Sequence, residues 1–101
     1  MINYDEAMRV CETYIHALVT NDVEAILDLY ADDATVEDPV GTESRSGKDA
    51  LRSFYTGAVT GVVEAALTGQ PRVAGNEVAF PFQVIAGQPG EEIQINIIDV
   101  F

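Results

Sequence analysis

The chain has 101 residues, 48% of them hydrophobic, with 17 acidic residues against five basic ones and a formal net charge of −12. That length corresponds to a single domain, 1–101, with enough apolar side chain for a core, which excludes a disordered chain. The negative charge opposes phosphate backbones and anionic lipid, so nucleic acid and membrane surfaces are excluded as expected partners and a neutral ligand is favoured.

Asn3 with Glu6 three residues on resembles a capping box, and Ala7, Val10, Cys11, Tyr14 and Leu18 then recur at helical spacing. This first helix places Tyr14 in the middle of its buried stripe. Asp5, Glu6 and Glu12 interrupt any signal-peptide core, and no apolar run reaches membrane-spanning length, so a soluble, cytoplasmic protein is expected. Cys11 is the single cysteine, which rules out an internal disulfide and a thiolate metal cluster. His16 is the single histidine and has no second histidine at ligand spacing, so it reads as structural or surface and no metal is implied.

Asn21 with Glu24 repeats the start signal, and Val23, Ile26, Leu27 and Tyr30 form the apolar stripe of a second helix. Ala31 to Ala34 reads as a turn, Thr35–Val40 as a short extended segment, and Ser44–Gly47 as loop. A third helix is expected from about Lys48 to Gly57, with Ala50, Leu51, Phe54 and Tyr55 facing inward. Beyond Gly61 the pattern changes to strands: Val62–Thr68, then Arg72–Ala74 and Glu77–Ile85 paired across Gly75-Asn76, then Glu92–Phe101 after a Gly/Pro-rich turn. Three helices followed by a curled antiparallel sheet predict a cone-shaped α+β fold with the helices closing one side. The last strand stops at Phe101 with no turn or polar tail. The expectation is therefore a domain truncated at its C-terminus, its final strand missing. A domain this small buries only roughly 60–65% of its unfolded surface, and a dimer interface would add to that.

Two aspartates fall on unexpected faces. In Glu92–Phe101, Asp99 alternates with Ile93, Ile95, Ile97 and Phe101. An ionised carboxylate on that apolar face costs several kcal/mol unless paired, so Asp99 is expected to hold its proton at neutral pH and donate a hydrogen bond. In Thr35–Val40, Asp38 shares a face with Val36 and Val40, and Pro39 removes a donor behind it, which suits an exposed base at a pocket mouth. Taken singly, Asp38 reads as a turn residue and Tyr14 as core; a buried ion pair for Asp99 lacks a basic neighbour in sequence.

The run Tyr30-Ala31-Asp32-Asp33-Ala34-Thr35-Val36-Glu37-Asp38-Pro39-Val40-Gly41 resembles bacterial ketosteroid isomerases, and Tyr14-Ile15 and Ile97-Ile98-Asp99-Val100 agree in order and spacing. The resemblance implies the cone-shaped fold of nuclear transport factor 2, a homodimer, and a neutral steroid substrate handled without cofactor or metal. It implies Asp38 as catalytic base, Tyr14 and Asp99 as oxyanion-hole donors, Tyr30 and Tyr55 as a supporting hydrogen-bond chain, and Phe54 and Phe82 as pocket walls. The implied reaction moves the C5–C6 double bond of a 3-oxo steroid to C4–C5 through a dienolate. Two other classes stay open: a paired-carboxylate hydrolase acting on glycosides or epoxides, and a non-catalytic ligand-binding or dimerisation module of the same fold.

Overall fold

Asn3 starts the first helix as its pattern predicts: its side chain accepts the Glu6 N–H at 2.8 Å, while its amide donates to Glu6 Oε1 at 2.9 Å. The computed structural model describes residues 2–101. Helix α1 spans Tyr4–Thr20 and buries Ala7, Cys11, Tyr14, Ala17 and Leu18 along one stripe. Asn21 does not begin the second helix. It ends the first, in the left-handed region at φ 55°, with its N–H bonded to the Ala17 and Leu18 carbonyls. Asparagine tolerates that conformation, so it closes α1, and Asp22 takes over as the N-cap of α2 (Val23–Leu27) by accepting the Ala25 N–H at 3.1 Å.

The extended segment is also shorter than expected. Strand β1 is Thr35–Val36 only. Beyond it the chain turns, because Glu37 accepts the Gly41 N–H (2.9 Å) and the Thr42 N–H bonds the Pro39 carbonyl (3.1 Å). Asp38 is therefore a loop residue, not a member of a strand alternation. The expected loop at 44–47 contains strand β2 (Arg45–Ser46), which pairs with β1 in the register Thr35↔Ser46 and Val36↔Arg45. Helix α3 (Lys48–Ala58) follows, burying Leu51 and Tyr55. The Lys48 ammonium donates to the Leu27 carbonyl at the end of α2 and so joins the two helices.

Strands β3 (Val62–Leu67), β4 (Arg72–Ala74), β5 (Glu77–Ala86) and β6 (Ile93–Val100) form one antiparallel sheet around β5. On one side β5 pairs with β3 along 82–86 and with β4 along 77–79; on the other it pairs with β6 from Ala79↔Val100 to Ala86↔Ile93. Pro81 sits in this central strand without breaking it. Its carbonyl accepts the Thr68 N–H at 3.1 Å, and in an antiparallel strand both backbone groups of a residue face the same neighbour. The missing N–H thus falls in the gap between β3 and β4, and the ladder to β6 is intact. A bulge between Val62 and Glu64 bends the sheet, giving the curled α+β architecture expected.

The alternation of β5 turns Val78, Phe80, Phe82 and Val84 toward the helices, where they meet Ile26, Leu27, Leu51 and Cys11. Each such large apolar side chain, fully buried, contributes about 1.5–3 kcal/mol. Among the described residues, no helix is long and apolar enough to cross a membrane.

The two readings of Asn21 make different demands on its replacement. Asn21→Val should cost about 1–2 kcal/mol, because a β-branched residue is strained at positive φ, while Asn21→Gly should cost less. Thermal unfolding followed by circular dichroism distinguishes them; a valine variant as stable as the parent would show that the left-handed turn is not retained in solution.

Candidate active site

Between the inner face of the sheet and the helices lies a cavity of about 890 Å³. Tyr14, Tyr30 and Tyr55 line it, as do Phe54 and Phe82, Asp38 and Asp99. Every side chain singled out from the sequence thus reaches one space, although the seven come from helices, loops and two strands.

Tyr14 is held by edge-on contact with the rings of Tyr55 (6.1 Å between centroids), Phe80 (5.8 Å), Phe82 (6.0 Å) and Phe101 (5.3 Å). The ring is 3% exposed and its position leaves little freedom. Its hydroxyl donates to Tyr55 Oη at 3.3 Å, and Tyr55 Oη lies 2.5 Å from Tyr30 Oη. Three hydroxyls, from α1, α3 and the turn after α2, form one chain. Burial foremost pushes the ionisation of all three tyrosines far above the ordinary range, so they are neutral hydrogen-bonding groups.

Asp99 stands opposite Phe80 in the β5–β6 ladder, and Ile97 and Phe101 flank it on the same face. Its carboxyl is pushed up to about 6, by burial first and by the negative charge of Asp38 second; the nearby Tyr14 hydroxyl draws it back down. The direction is the one expected, but the extent is smaller. Ile93 and Ile95 are 60% and 40% exposed, so the isoleucine face is only partly dry.

Asp38 is exposed at the rim, on the loop after β1, and its peptide bond to Pro39 is cis. The Glu37–Gly41 bond (2.9 Å) and the Thr42 hydroxyl bond to the Pro39 carbonyl (2.7 Å) shape this loop and leave the Asp38 carboxylate uninvolved. Phe101 was missed as a site residue. It lines the cavity and packs on Tyr14 and on Tyr30 (5.6 Å), and its one sequence signal is its place two residues beyond Asp99 on the same strand face. His16 is exposed and Cys11 is buried in the core. Among the described residues no group of three His, Cys, Asp or Glu side chains is placed to hold a metal ion. The arrangement places the exposed Asp38 carboxyl at the rim of a largely apolar cavity, with the neutral tyrosine chain and the half-buried Asp99 carboxyl deeper in it.

Residues 11–101 match the SnoaL-like domain family. A steroid Delta-isomerase of Nocardioides simplex is 39% identical over 88 residues, covering 86% of this chain and 70% of that protein. The epoxide hydrolase LasB of Streptomyces lasalocidi is 35% identical over 79 residues, covering 76% of this chain but only 28% of its own length. Among solved structures, SalBIII, an epoxide hydrolase/cyclase-like enzyme of pyran ring formation in the polyether salinomycin, superimposes with a TM-score of 0.84 at 26% identity, over all of this chain and 82% of its own. Enzymes of different chemistry therefore share this fold, which is of the nuclear transport factor 2 type.

The raised Asp99 carboxyl has a consequence for stability. Between its ordinary value of 3.8 and about 6 the native chain binds more protons than the unfolded one, so stability falls as pH rises through that window. Asp99→Asn should flatten this part of the profile of unfolding temperature against pH. Parallel melts of the two proteins from pH 4 to 7 read the difference, and curves of identical slope would mean that Asp99 titrates normally.

Proposed function

Since this chain belongs to the SnoaL-like domain family, we propose that it is a steroid isomerase, moving the C5–C6 double bond of a 3-oxo steroid into conjugation at C4–C5. The observation that carries the reading is the convergence of Tyr14 and Asp99 with Asp38 on one largely apolar cavity. Its volume lies within the range that encloses a drug-sized ligand, about 300–1,000 Å³. The steroid Delta-isomerase of Nocardioides simplex, 39% identical, supports the same substrate class.

In this mechanism the Asp38 carboxylate takes a proton from C4, which lies between the C3 carbonyl and the alkene. The electron pair of the C–H bond moves through C3 onto oxygen, giving a dienolate. Tyr14 and neutral Asp99 donate hydrogen bonds to that oxygen. Tyr14 turns its proton from Tyr55 to the ligand and accepts one from Tyr55 in exchange, with Tyr30 behind it. Asp38 then returns the proton to C6. One group serves first as base and then as acid, the substrate gains and loses nothing overall, and the chemistry calls for no cofactor. An apolar steroid entering the cavity displaces water, which favours the neutral form of Asp99 further and so prepares the donor as the substrate binds. The cytoplasmic location and the homodimer belong to this proposal as well. Ile98 and Val100, 71% and 65% exposed, lie across from Pro81 and Ala79 on the outer face of the sheet, where a second copy would cover them.

A second reading rests on the same two carboxylates and on the epoxide-opening relatives: Asp99, partly protonated near pH 6, protonates an epoxide oxygen while Asp38 activates a hydroxyl nucleophile. The two differ in substrate. A 5-ene-3-oxo steroid should show growth of the conjugated-enone absorbance under the first reading, and a hydroxy-epoxide should be converted to diol or cyclic ether under the second. Turnover of the epoxide alone would replace the isomerase reading.

Within the isomerase reading, Asp38→Asn should nearly abolish turnover while leaving the binding of a phenolic steroid largely intact, because the donors remain. Tyr14→Phe should lower kcat roughly 10²–10³-fold, the usual effect of losing one oxyanion donor. Asp99→Asn keeps a donor of similar shape and should be tolerated better than Asp99→Ala. Steady-state kinetics on the four variants decide the assignment: retained kcat in Asp38→Asn removes it as the base, and equal severe losses in the two Asp99 variants remove the neutral-donor role.

A further inference from the structure

Arg45 is placed in a way that its charge does not explain. The chain carries 17 acidic residues, and Arg52 shows the ordinary outcome, pairing with Glu24 at 2.8 Å and Asp49 at 3.1 Å on the surface. Arg45 makes no such pair among the described residues. Its guanidinium carbon instead lies 4.5 Å from the centroid of the Phe54 ring, and its Nη1 is buried without a hydrogen-bond partner. A buried donor left unpaired is unfavourable, so contact with the ring has to offset it.

Position supplies the rest. Arg45 is directly across from Val36 in the β1–β2 ribbon, and cross-strand partners share a face; Val36 lines the cavity, so Arg45 leaves the ribbon on the cavity side. Asp38 follows Val36 by two residues. Phe54 lies on α3 beside Tyr55, ring centroids 5.0 Å apart at 77°. The guanidinium therefore links the ribbon that leads into the Asp38 loop with the helix that carries Phe54 and Tyr55. The ribbon itself is short, with two residues in each strand and a Gly47 N–H to Ala34 carbonyl bond of 3.1 Å at its end.

We propose that Arg45 is a positioning residue that rivets the ribbon at the base of the Asp38 loop to α3 through the face of Phe54, fixing the base relative to the tyrosine donors. Its kinetic consequence rests on the isomerase reading; its structural consequence does not. Misplacing a reacting group by about 1 Å can lower a rate by up to roughly 10²-fold. Arg45→Met keeps most of the bulk and removes the cation. It should lower kcat about 5–30-fold with KM and phenolic-steroid binding held within about threefold, and Arg45→Lys should recover most of the loss, since an ammonium also interacts with a ring face. In a Phe54→Leu background the same Arg45→Met change should have less than about a twofold effect, because the ring it acts through is gone.

Amide hydrogen exchange gives a readout independent of turnover. Arg45→Met should speed exchange at Gly41, Thr42 and Gly47, whose N–H groups are bonded within the ribbon and its loop, while the amides of α1 around Cys11 and Tyr14 keep their protection. Unchanged exchange at the three ribbon amides, or a kcat loss of the same size with and without the Phe54 ring, overturns the proposal. Faster exchange confined to the ribbon in a protein that isomerises no steroid supports the rivet and removes only the isomerase reading.

Discussion

A buried hydroxyl must find a partner, and in this protein the demand of one hydroxyl organises the site. Tyr14 faces the core from the middle of α1, where four aromatic rings meet it edge-on. Those contacts leave its oxygen one direction within the protein, toward Tyr55, and Tyr55 in turn needs Tyr30. Satisfying one polar atom thus draws α1, α3 and the turn after α2 around a common point. The sheet is drawn to the same point through Phe80, Phe82 and Phe101, and Phe101 is itself doubly bonded to Val78 (2.7 and 2.8 Å). Asp99 faces the same cavity because that ladder sets its register: a slip of one residue would send it to the outer face.

The electrostatics follow from how much water the cavity admits. The tyrosine chain lies deep, and burial holds it neutral. Asp99 lies halfway, on a strand whose far end is open, and burial with the charge of Asp38 raises its carboxyl to about 6. Asp38 is outside the dry region altogether. Depth in one cavity therefore grades its acidic groups from the buried, neutral tyrosines through half-buried Asp99 to exposed Asp38. The same gradient suits proton abstraction from a carbon acid and acid-assisted opening of an epoxide, which is consistent with relatives of both chemistries on this fold.

Much of this was present in the sequence because it is local. Helical spacing of Ala7, Cys11, Tyr14 and Leu18, the Asn3–Glu6 cap, and the strand pattern of 77–85 each depend on a few neighbouring residues, and each element formed where the pattern placed it. Asp99 was conspicuous for the same reason, since a carboxyl between isoleucines violates a pattern of period two. The family resemblance, carried by the run through Glu37-Asp38-Pro39-Val40-Gly41, brought Tyr14 into the site; spacing alone assigned it to the core. Sequence reading went astray where two local rules competed. At Asn21 and Asp22 either residue could cap a helix, and the left-handed turn that closes α1 decided between them. After Val36 the loop's own hydrogen bonds won over continued extension.

Tertiary structure alone decided three things. Pairing of Arg45–Ser46 with β1 made a ribbon of a stretch with no strand signal, because two-residue strands exist only through their partner. The burial of Asp99 and the nearness of Asp38 set the strength of the Asp99 acid, since both depend on how distant segments assemble and not on the strand's own alternation. The contact of Arg45 with Phe54 joined residues nine apart whose meeting no periodicity encodes. Sequence determined which groups are available and which face of its element each occupies, as those are properties of neighbouring residues; how deeply each group is buried, and against what, is a property of the assembled fold.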